Sequence, residues 1–508
     1  MILRRIVITV AWTASLIALA YSVENWRCRR AWEQYRSAAE ARGEHLDLAW
    51  FIPKPVPDDQ NFFMSGSLPR TLFYFPRNER WFSWNDPFAK LSTGSISYKL
   101  VTGGVFHLTD LATWQKAFAA ISGTGAIPAF VLNPDPDPAA RVAAAPAVLR
   151  GLEPSAPALD LLRAASSRPY ARFPLDYDAE NPAMIALPQY SVLQNAVQRL
   201  ALRASAELAI GRNDGAMADL RLMFYLADTI KNEPMLITGL VRIGILRVEA
   251  RIIWEGLVQR RWSDAQLQEI QRYMLSLNYF SEFDREIACQ RASGVVMLQY
   301  YGTKRNFNGM RGDFQWFYGQ RHEHGWSLKR FLIWIMPRGW YHLEQISFCE
   351  GLDTRFQSVF DPATKRIFPP QLGANALAAP LPTNGDLHTL LQHRYLISKW
   401  LAPKSGVIGG DGMVRRYAAA QCIAGQAVIA CGLERCRMAT GNYPAEIHDL
   451  APRFTPSLPS DPLTGNLFRY RRKNPGSFTL YSVGWNLKDD GGRTEKTFPG
   501  AKGDWLWQ

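Results

Sequence analysis

The sequence has few of the residues that hold metals or serve as nucleophiles. Its 508 residues include only six cysteines and eight histidines. No C-x-x-C pair occurs and no cysteine lies beside histidines at zinc-ligand spacing, so a structural zinc site is not predicted. We expect six buried free thiols, with one or two disulfides as the alternative in an oxidising compartment. The cysteines are Cys28, Cys289, Cys349, Cys422, Cys431 and Cys436.

Motifs of the common enzyme classes are also missing. The chain has no H-E-x-x-H metal motif, no G-x-S-x-G nucleophile elbow and no Walker A lysine loop. His322 and His324 share a face only on a strand, and His388 and His393 miss the i, i+4 spacing of a helical metal pair. The catalytic alternative is an envelope hydrolase whose acid and base groups converge only in the fold. Its candidate residues are His322, Glu323 and Asp313.

Negative charge is in the minority. Lysine and arginine total 58 against 45 aspartates and glutamates, which gives a formal net charge of +13. Such an excess attracts anionic partners, but the basic residues are spread along the chain, which favours a solvated basic surface. We expect no nucleic-acid partner. A binder of anionic polymer, acting through Arg469 to Lys473, is a third functional hypothesis.

Only one apolar run approaches the length of a membrane span. Ile6 to Tyr21 is uncharged and slightly shorter than the ~20 residues that a spanning helix needs. Ala18-Leu19-Ala20 has the form of a signal-peptidase site, but no polar region precedes it, so a retained signal anchor over 1–30 is favoured over a cleaved signal peptide. Arginines flank the run on both sides, and charge alone does not fix the orientation. We expect a single-pass protein of the bacterial inner membrane whose bulk is extracytoplasmic.

The chain is longer than one hydrophobic core usually supports, which predicts two or three domains. Residues 31–57 combine a polar helix with a stiff spacer that contains Pro53, Pro55 and Pro57. Residues 58–139 mix short β-like runs with one helix near Asp110 to Ile121. A helical body is predicted over 140–410. Within it, a second apolar run, Phe331 to Met336, is too short to span a bilayer and predicts a buried helix or an aromatic patch at the membrane interface.

Helical periodicity dominates the predicted body. Amphipathic helices are expected over Gln189–Ile210, Gly215–Lys231 and Met235–Gln259, with Gly211 closing the first of them. Ser263 and Gln266 form a capping box at the start of the next helix. Long helices with short turns predict antiparallel helix pairs in a solenoid-like body. Charged residues of this region are expected in salt bridges between helices or on solvated faces: Arg203, Glu207, Arg242 and Glu249.

The C-terminal part has a recognisable order of motifs. Val414 to Ala439 is a helix of small residues, Asn442-Tyr443-Pro444 turns the chain, and D-P-L-T-G at Asp461 to Gly465 is a β-turn. Strands over Leu467–Arg472 and Ser477–Val483 follow. This order resembles the globular head of the major pseudopilin of type II secretion systems, although the pseudopilin's N-terminal methylation and cleavage motif is missing. The resemblance implies a small α+β head over 411–508, with calcium as the one candidate metal at Asn486, Asp489 and Asp490.

The layout of the whole chain resembles a family of uncharacterised membrane-anchored bacterial envelope proteins. The shared features include the anchor, a proline spacer ending P-D-D-Q-N-F and the R-P-Y-A-R-F segment at Arg168 to Phe173. The expected fold is mainly α, with an N-terminal transmembrane helix and a pseudopilin-like α+β head. The leading functional hypothesis is a non-enzymatic interaction or scaffold protein with a protein partner, associated with secretion.

Overall fold

The computed structural model describes residues 2–66, 68, 106–124, 133, 135–182, 185–304, 336–378, 411–495, 498–500 and 502–507. The fold is mostly helical, with small antiparallel sheets, which confirms the mainly α class. The helices are α1 (Ile2–Ala41), α2 (Leu111–Thr124), α3 (Pro138–Leu152), α4 (Ala156–Ala165), α5 (Gln189–Ala209), α6 (Asn213–Thr229), α7 (Leu236–Val258), α8 (Asp264–Ser276), α9 (Tyr279–Lys304), α10 (Trp340–Phe356), α11 (Pro369–Ala378) and α12 (Asp411–Thr440). The strands are β1 (Phe360–Asp361), β2 (Arg366–Ile367), β3 (Arg469–Asn474), β4 (Ser477–Ser482) and β5 (Trp505–Leu506).

Helix α1 is 40 residues long, or about 60 Å. It is long and apolar enough to cross a membrane, and its apolar stretch is exposed among the residues that the structure describes. The predicted polar helix after residue 30 is a direct continuation of the same helix, so the boundary expected between residues 30 and 31 lies inside α1. One rigid element therefore leads from the apolar segment to the rest of the protein.

The body has the helices that periodicity predicts. The expected helices over Gln189–Ile210, Gly215–Lys231 and Met235–Gln259 correspond to α5, α6 and α7, each within two residues at either end. Gly211 has φ +78° and ends α5, as a C′ glycine does. The capping box of α8 is formed in both directions, with Ser263 and Gln266 each bonding the other's backbone N–H. These local predictions are confirmed.

Helix α12 is the most deeply buried helix of the C-terminal part. Nearly every residue from Met413 to Leu433 is buried, and α12 packs against α7, α8 and α9 of the body. Its many alanines and glycines allow this approach, because small side chains let helix backbones come close. Strands β3, β4 and β5 form an antiparallel sheet in that order. Buried side chains of the body, of α12 and of this sheet, including Trp505 and Trp507, belong to one hydrophobic cluster.

All six cysteines are buried and carry free thiols.

Candidate functional site

The second half of α1 packs against α10, in a contact that begins close to the apolar segment. Asn25 Oδ1 accepts a hydrogen bond from the Gly339 backbone N–H at 2.6 Å. A side chain on Gly339 would lie 2.7 Å from the Asn25 Cα, so the turn before α10 touches the backbone of α1 directly. One turn further along, Cys28 is fully buried in a cluster with Leu343 and Ile346 of α10. The anchor helix is thus an integral part of the body.

The far end of α1 is held by a second hydrophobic cluster and by ion pairs. Ala39 is fully buried in a cluster with Cys349 of α10 and Val295 of α9. Arg291 of α9 contacts both Glu44, just after α1, at 3.1 Å and Asp353 of α10 at 2.5 Å. Its side chain is only 10% exposed, which keeps these charge pairs stronger than ordinary surface pairs. Three elements meet at this arginine.

The proline spacer that follows α1 returns to the body. Its P-D-D-Q-N-F end lies against the R-P-Y-A-R-F segment, the two motifs that support the resemblance to membrane-anchored envelope proteins. The Asn61 side chain donates to the Arg172 carbonyl at 2.8 Å and accepts from the Arg172 N–H at 3.0 Å. Phe63 and Phe173 are both buried, and their rings meet edge to face at 5.0 Å. This contact fixes the spacer on the body.

These three contacts define the candidate functional site, which we name the anchor junction: residues 25–46 of α1 and its C-terminal turn, Gly339 and α10 as far as Asp353, Arg291 of α9, and the Asn61–Arg172 contact. The effect of the anchor junction is mechanical, since it fixes the orientation of the body relative to the apolar half of α1. The two motifs of the spacer contact stand out in the sequence, but their contact is not predicted from it. The α1–α10 contact has no sequence signal, because its two sides are 314 positions apart.

The charged residues expected between the body helices behave in two ways. Arg203 pairs with Asp219 between α5 and α6, and Arg242 pairs with Glu282 between α7 and α9, which confirms the predicted inter-helix salt bridges. Glu249 differs from the prediction. It is 1% exposed, and within the described residues its Oε1 atom has no hydrogen-bond partner. Its face of α7 points into the interior, so it is neither salt-bridged nor solvated.

Glu249, Glu286 and Glu233 are buried carboxyl groups whose pKa is raised, and the sequence did not single them out as a set. Burial raises the pKa of Glu249 and of Glu286 to about 8, and that of Glu233 to about 7. Tyr417 donates a hydrogen bond to Glu286, and Tyr190 donates to Glu233 at 2.7 Å. At neutral pH Glu249 and Glu286 are therefore mostly uncharged. These groups make the stability of the body depend on pH.

The predicted calcium residues lie in a loop after β4, where their side chains bond within the protein. The Asn486 amide donates to Asp490 Oδ2 at 2.9 Å. Asp489 Oδ1 accepts from the Tyr481 hydroxyl at 2.9 Å, and its other oxygen pairs with Arg469 at 3.2 Å. Within the described residues, no group of three or more His, Cys, Asp or Glu side chains is placed to hold a metal ion.

The basic cluster Arg469 to Lys473 lies on β3, the exposed edge strand of the C-terminal sheet. Arg469 pairs with Asp489, and Arg472 donates to the Tyr443 carbonyl at 3.0 Å. Two of the four basic side chains are therefore engaged within the protein, which weakens the case for an anionic polymer.

The other sequence candidates lie outside the described residues. They are His322, Glu323, His324, Asp313, His388, His393, Phe331 to Ile335 and the predicted strands between residues 69 and 105.

The anchor junction is therefore the arrangement that bears most directly on function. Comparison with known proteins adds no relative: no protein-family model, no curated protein and no solved structure matches this chain.

Proposed function

We propose that this chain is a non-enzymatic scaffold protein of the bacterial cell envelope. Helix α1 crosses the inner membrane once, and the bulk of the chain lies on the extracytoplasmic side. The C-terminal part from residue 411 is a pseudopilin-like unit that binds a protein partner of a secretion or envelope assembly. No cofactor is required for this role.

The anchor junction is the observation that carries the proposal. A domain that is joined to a membrane helix by a flexible linker can diffuse and turn relative to the membrane. Here Cys28 and Ala39 of the anchor helix are fully buried in the body, and the spacer is bonded to it through Asn61. Such packing fixes the height and orientation of the body above the membrane. A fixed presentation is what a scaffold requires of its anchor.

Features of the C-terminal part support a binding role. A long helix of small residues, a short 3₁₀ turn at Ile447–Leu450 and an antiparallel hairpin follow one another in the order that suggested the pseudopilin resemblance. Met438 is 45% exposed and Leu487 is 38% exposed on this part. Large apolar side chains at these exposures are suitable anchors for a protein partner.

Cysteine labelling in intact cells tests the location. All six native cysteines are buried, so a cysteine introduced at the exposed Lys473 is the reactive thiol. We expect a membrane-impermeant maleimide to label Lys473→Cys in cells whose outer membrane is permeabilised, and to the same extent after lysis. Labelling only after lysis would place the body in the cytoplasm and contradict the proposal.

Site-specific photo-crosslinking in cells tests the partner. A photoreactive residue at Met438 or Leu487 should give one discrete crosslinked product of higher mass. Val142 on α3 is the matched control, since it is apolar and 48% exposed but lies on the body. The scaffold role is rejected if the C-terminal positions give no product, or the same diffuse products as Val142.

A further inference from the structure

The turn that precedes α10 lies at the depth of the lipid headgroups. The exposed apolar side chains of α1 continue to Val23, with Trp26 following on the same helix. Residues 26 to 30 lie about 4–11 Å beyond Val23 at 1.5 Å per residue. The headgroup layer on each side of a bilayer is about 5–8 Å thick. Because Gly339 is bonded to Asn25, the turn is held at this level.

Positive charge is gathered at the same level. Trp26, Arg27, Arg29, Arg30 and Arg338 are all exposed there. The Arg30 guanidinium lies 5.5 Å from the centre of the Trp26 ring, an arrangement suited to the boundary between apolar chains and phosphates. Two acidic residues lie among these four arginines. Glu24 pairs with Arg27 and Glu33 pairs with Arg29, both at 2.9 Å. These exposed pairs are weak and leave a net positive surface.

The orientation of α10 places the partial positive charge of its N-terminus beside these arginines. Gly339, just before α10, contacts Asn25, and Cys349 in its middle clusters with Ala39, so α10 runs parallel to α1 and away from the apolar segment. The N-terminus of a helix carries a partial positive charge that favours phosphate groups nearby. In α10 that end is directed toward the headgroup layer.

We propose that Arg338, the one exposed residue of the turn 336–340, and the arginines of α1 between residues 26 and 30 form a docking surface for anionic phospholipid headgroups. The inference rests on the proposed membrane span of α1 and adds a second contact with the same membrane. The body is then held by the bilayer surface as well as by the anchor, and anionic lipids collect around the junction. The occupant is a lipid, because the surface lies at headgroup depth beside an apolar span.

Fluorescence quenching in vesicles tests whether Arg338 lies at the depth of the lipid headgroups. The full chain is reconstituted into vesicles of phosphatidylcholine and phosphatidylglycerol in equal parts, with one fluorophore attached to an introduced cysteine. A label at Arg338→Cys should be quenched by a lipid with a nitroxide on its headgroup. The matched control is Glu40→Cys, exposed on α1 about 22 Å beyond Asn25, where quenching should be absent. A label at Trp12→Cys should be quenched by a nitroxide on the acyl chain.

Lipid retention tests whether the exposed arginines bind anionic lipid. After detergent extraction from the same vesicles, the wild-type chain should retain phosphatidylglycerol over phosphatidylcholine by about fivefold or more, the effect expected of one basic side chain at an anionic surface. The variant R27Q/R29Q/R30Q/R338Q should retain both lipids equally. The control variant R36Q/R42Q changes two exposed arginines further along the chain and should keep the enrichment.

The outcomes separate the two proposals. If the Trp12 label is not quenched from the acyl chains, α1 does not span the membrane and the proposed function fails. If the Trp12 label is quenched but the Arg338 label is not, the anchor stands and the docking surface is overturned. The docking surface is also overturned if the wild type retains both lipids equally. The same conclusion follows if both arginine variants lose the enrichment in phosphatidylglycerol to the same extent.

Discussion

At the residue scale, Gly239 lies at a point where α7, α9 and α12 meet. It lies on α7 and faces Tyr417 of α12 and Glu286 of α9. A Cβ at Gly239 would overlap both the tyrosine hydroxyl and the carboxylate. The missing side chain therefore provides the space in which Tyr417 donates its hydrogen bond to the buried Glu286.

Gly239→Ala should lower the free energy of unfolding by about 1–3 kcal/mol, because the added methyl group overpacks this contact and displaces the hydrogen bond. Gly244→Ala on the same helix is the matched control. Its Cβ would meet only the Gln194 side chain, at 3.9 Å, so the gain in helix propensity should stabilise the chain by about 0.5–1 kcal/mol. Urea denaturation in detergent measures both variants. If the two variants changed the free energy of unfolding with the same sign and size, the overpacking expected at Gly239 would be contradicted.

Glu249 supplies a pH prediction at the same scale. Burial raises its pKa from 4.5 in the unfolded chain to about 8 in the folded one, so the folded state binds the proton more tightly. Its contribution to stability is fully present below pH 4.5 and is lost as pH rises through about 8. Above pH 4.5 it contributes a fall of up to about 1.4 kcal/mol per pH unit. Glu249→Gln should make the decline of unfolding free energy, measured by urea denaturation, shallower by roughly that slope between pH 6 and about 7.5, and the difference in slope should disappear by pH 9.

Glu269→Gln is the control for this pH profile. The hydrogen bonds from Arg221 lower the pKa of Glu269, so its titration lies below the range measured. The control should follow the wild-type slope between pH 6 and 9. A Glu249→Gln profile parallel to that of the wild type would mean that this carboxyl is already ionised in the folded protein.

At the scale of elements, the sequence predicts what is decided locally. The ends of α5 and α8 follow from Gly211 and from the Ser263–Gln266 pair, because a C′ glycine and a capping box act within four residues. The length of α12 follows from an uninterrupted run of small helix-forming residues. The strands of the C-terminal hairpin follow from alternation around the turn at Asn474. Each of these signals is complete before any tertiary contact forms.

The anchor junction was not predictable, because it depends on contacts between helices that are distant in the sequence. The polar half of α1 reads as a solvated helix, and only the packing of α10 and α9 against it makes Cys28 and Ala39 buried residues. Glu249 is a similar case, since nothing in its neighbours along α7 distinguishes an exposed glutamate from a buried one. In both cases the partner is supplied by another helix, and a single sequence does not state which helices are neighbours.

At the scale of the whole molecule, the described part of the C-terminal segment shares its core with the body. The sequence predicts a separate head from residue 411, but α12 is buried on α7, α8 and α9. Polar side chains bridge the same surfaces. Gln271 of α8 donates to the carbonyls of Val428 and Phe454, both at 3.0 Å, and Gln426 of α12 donates to the Trp505 carbonyl at 2.7 Å. Because the body and the C-terminal segment share one core, we expect them to have the same free energy of unfolding.

We therefore expect the body and the C-terminal sheet to unfold together. In native-state hydrogen exchange of the detergent-solubilised chain, the slowest amides of α7 and of β4 should open with the same free energy and the same dependence on denaturant. Gln426→Ala leaves the buried Trp505 carbonyl without its donor and should lower both values by about 1–3 kcal/mol. Gln268→Ala, at an exposed position of α8, should change neither.

The alternative is a C-terminal unit that opens by itself. In that case the β4 amides would exchange at a lower free energy than those of α7, and Gln426→Ala would affect β4 alone. The distinction matters for the proposed scaffold, because a partner bound to an independent unit would not sense the orientation that the anchor junction sets. A single cooperative unit would instead connect Asn25 of α1 to Trp505 in the C-terminal sheet through α10, α9 and α12. Binding at the C-terminal part would then be fixed in position relative to α1.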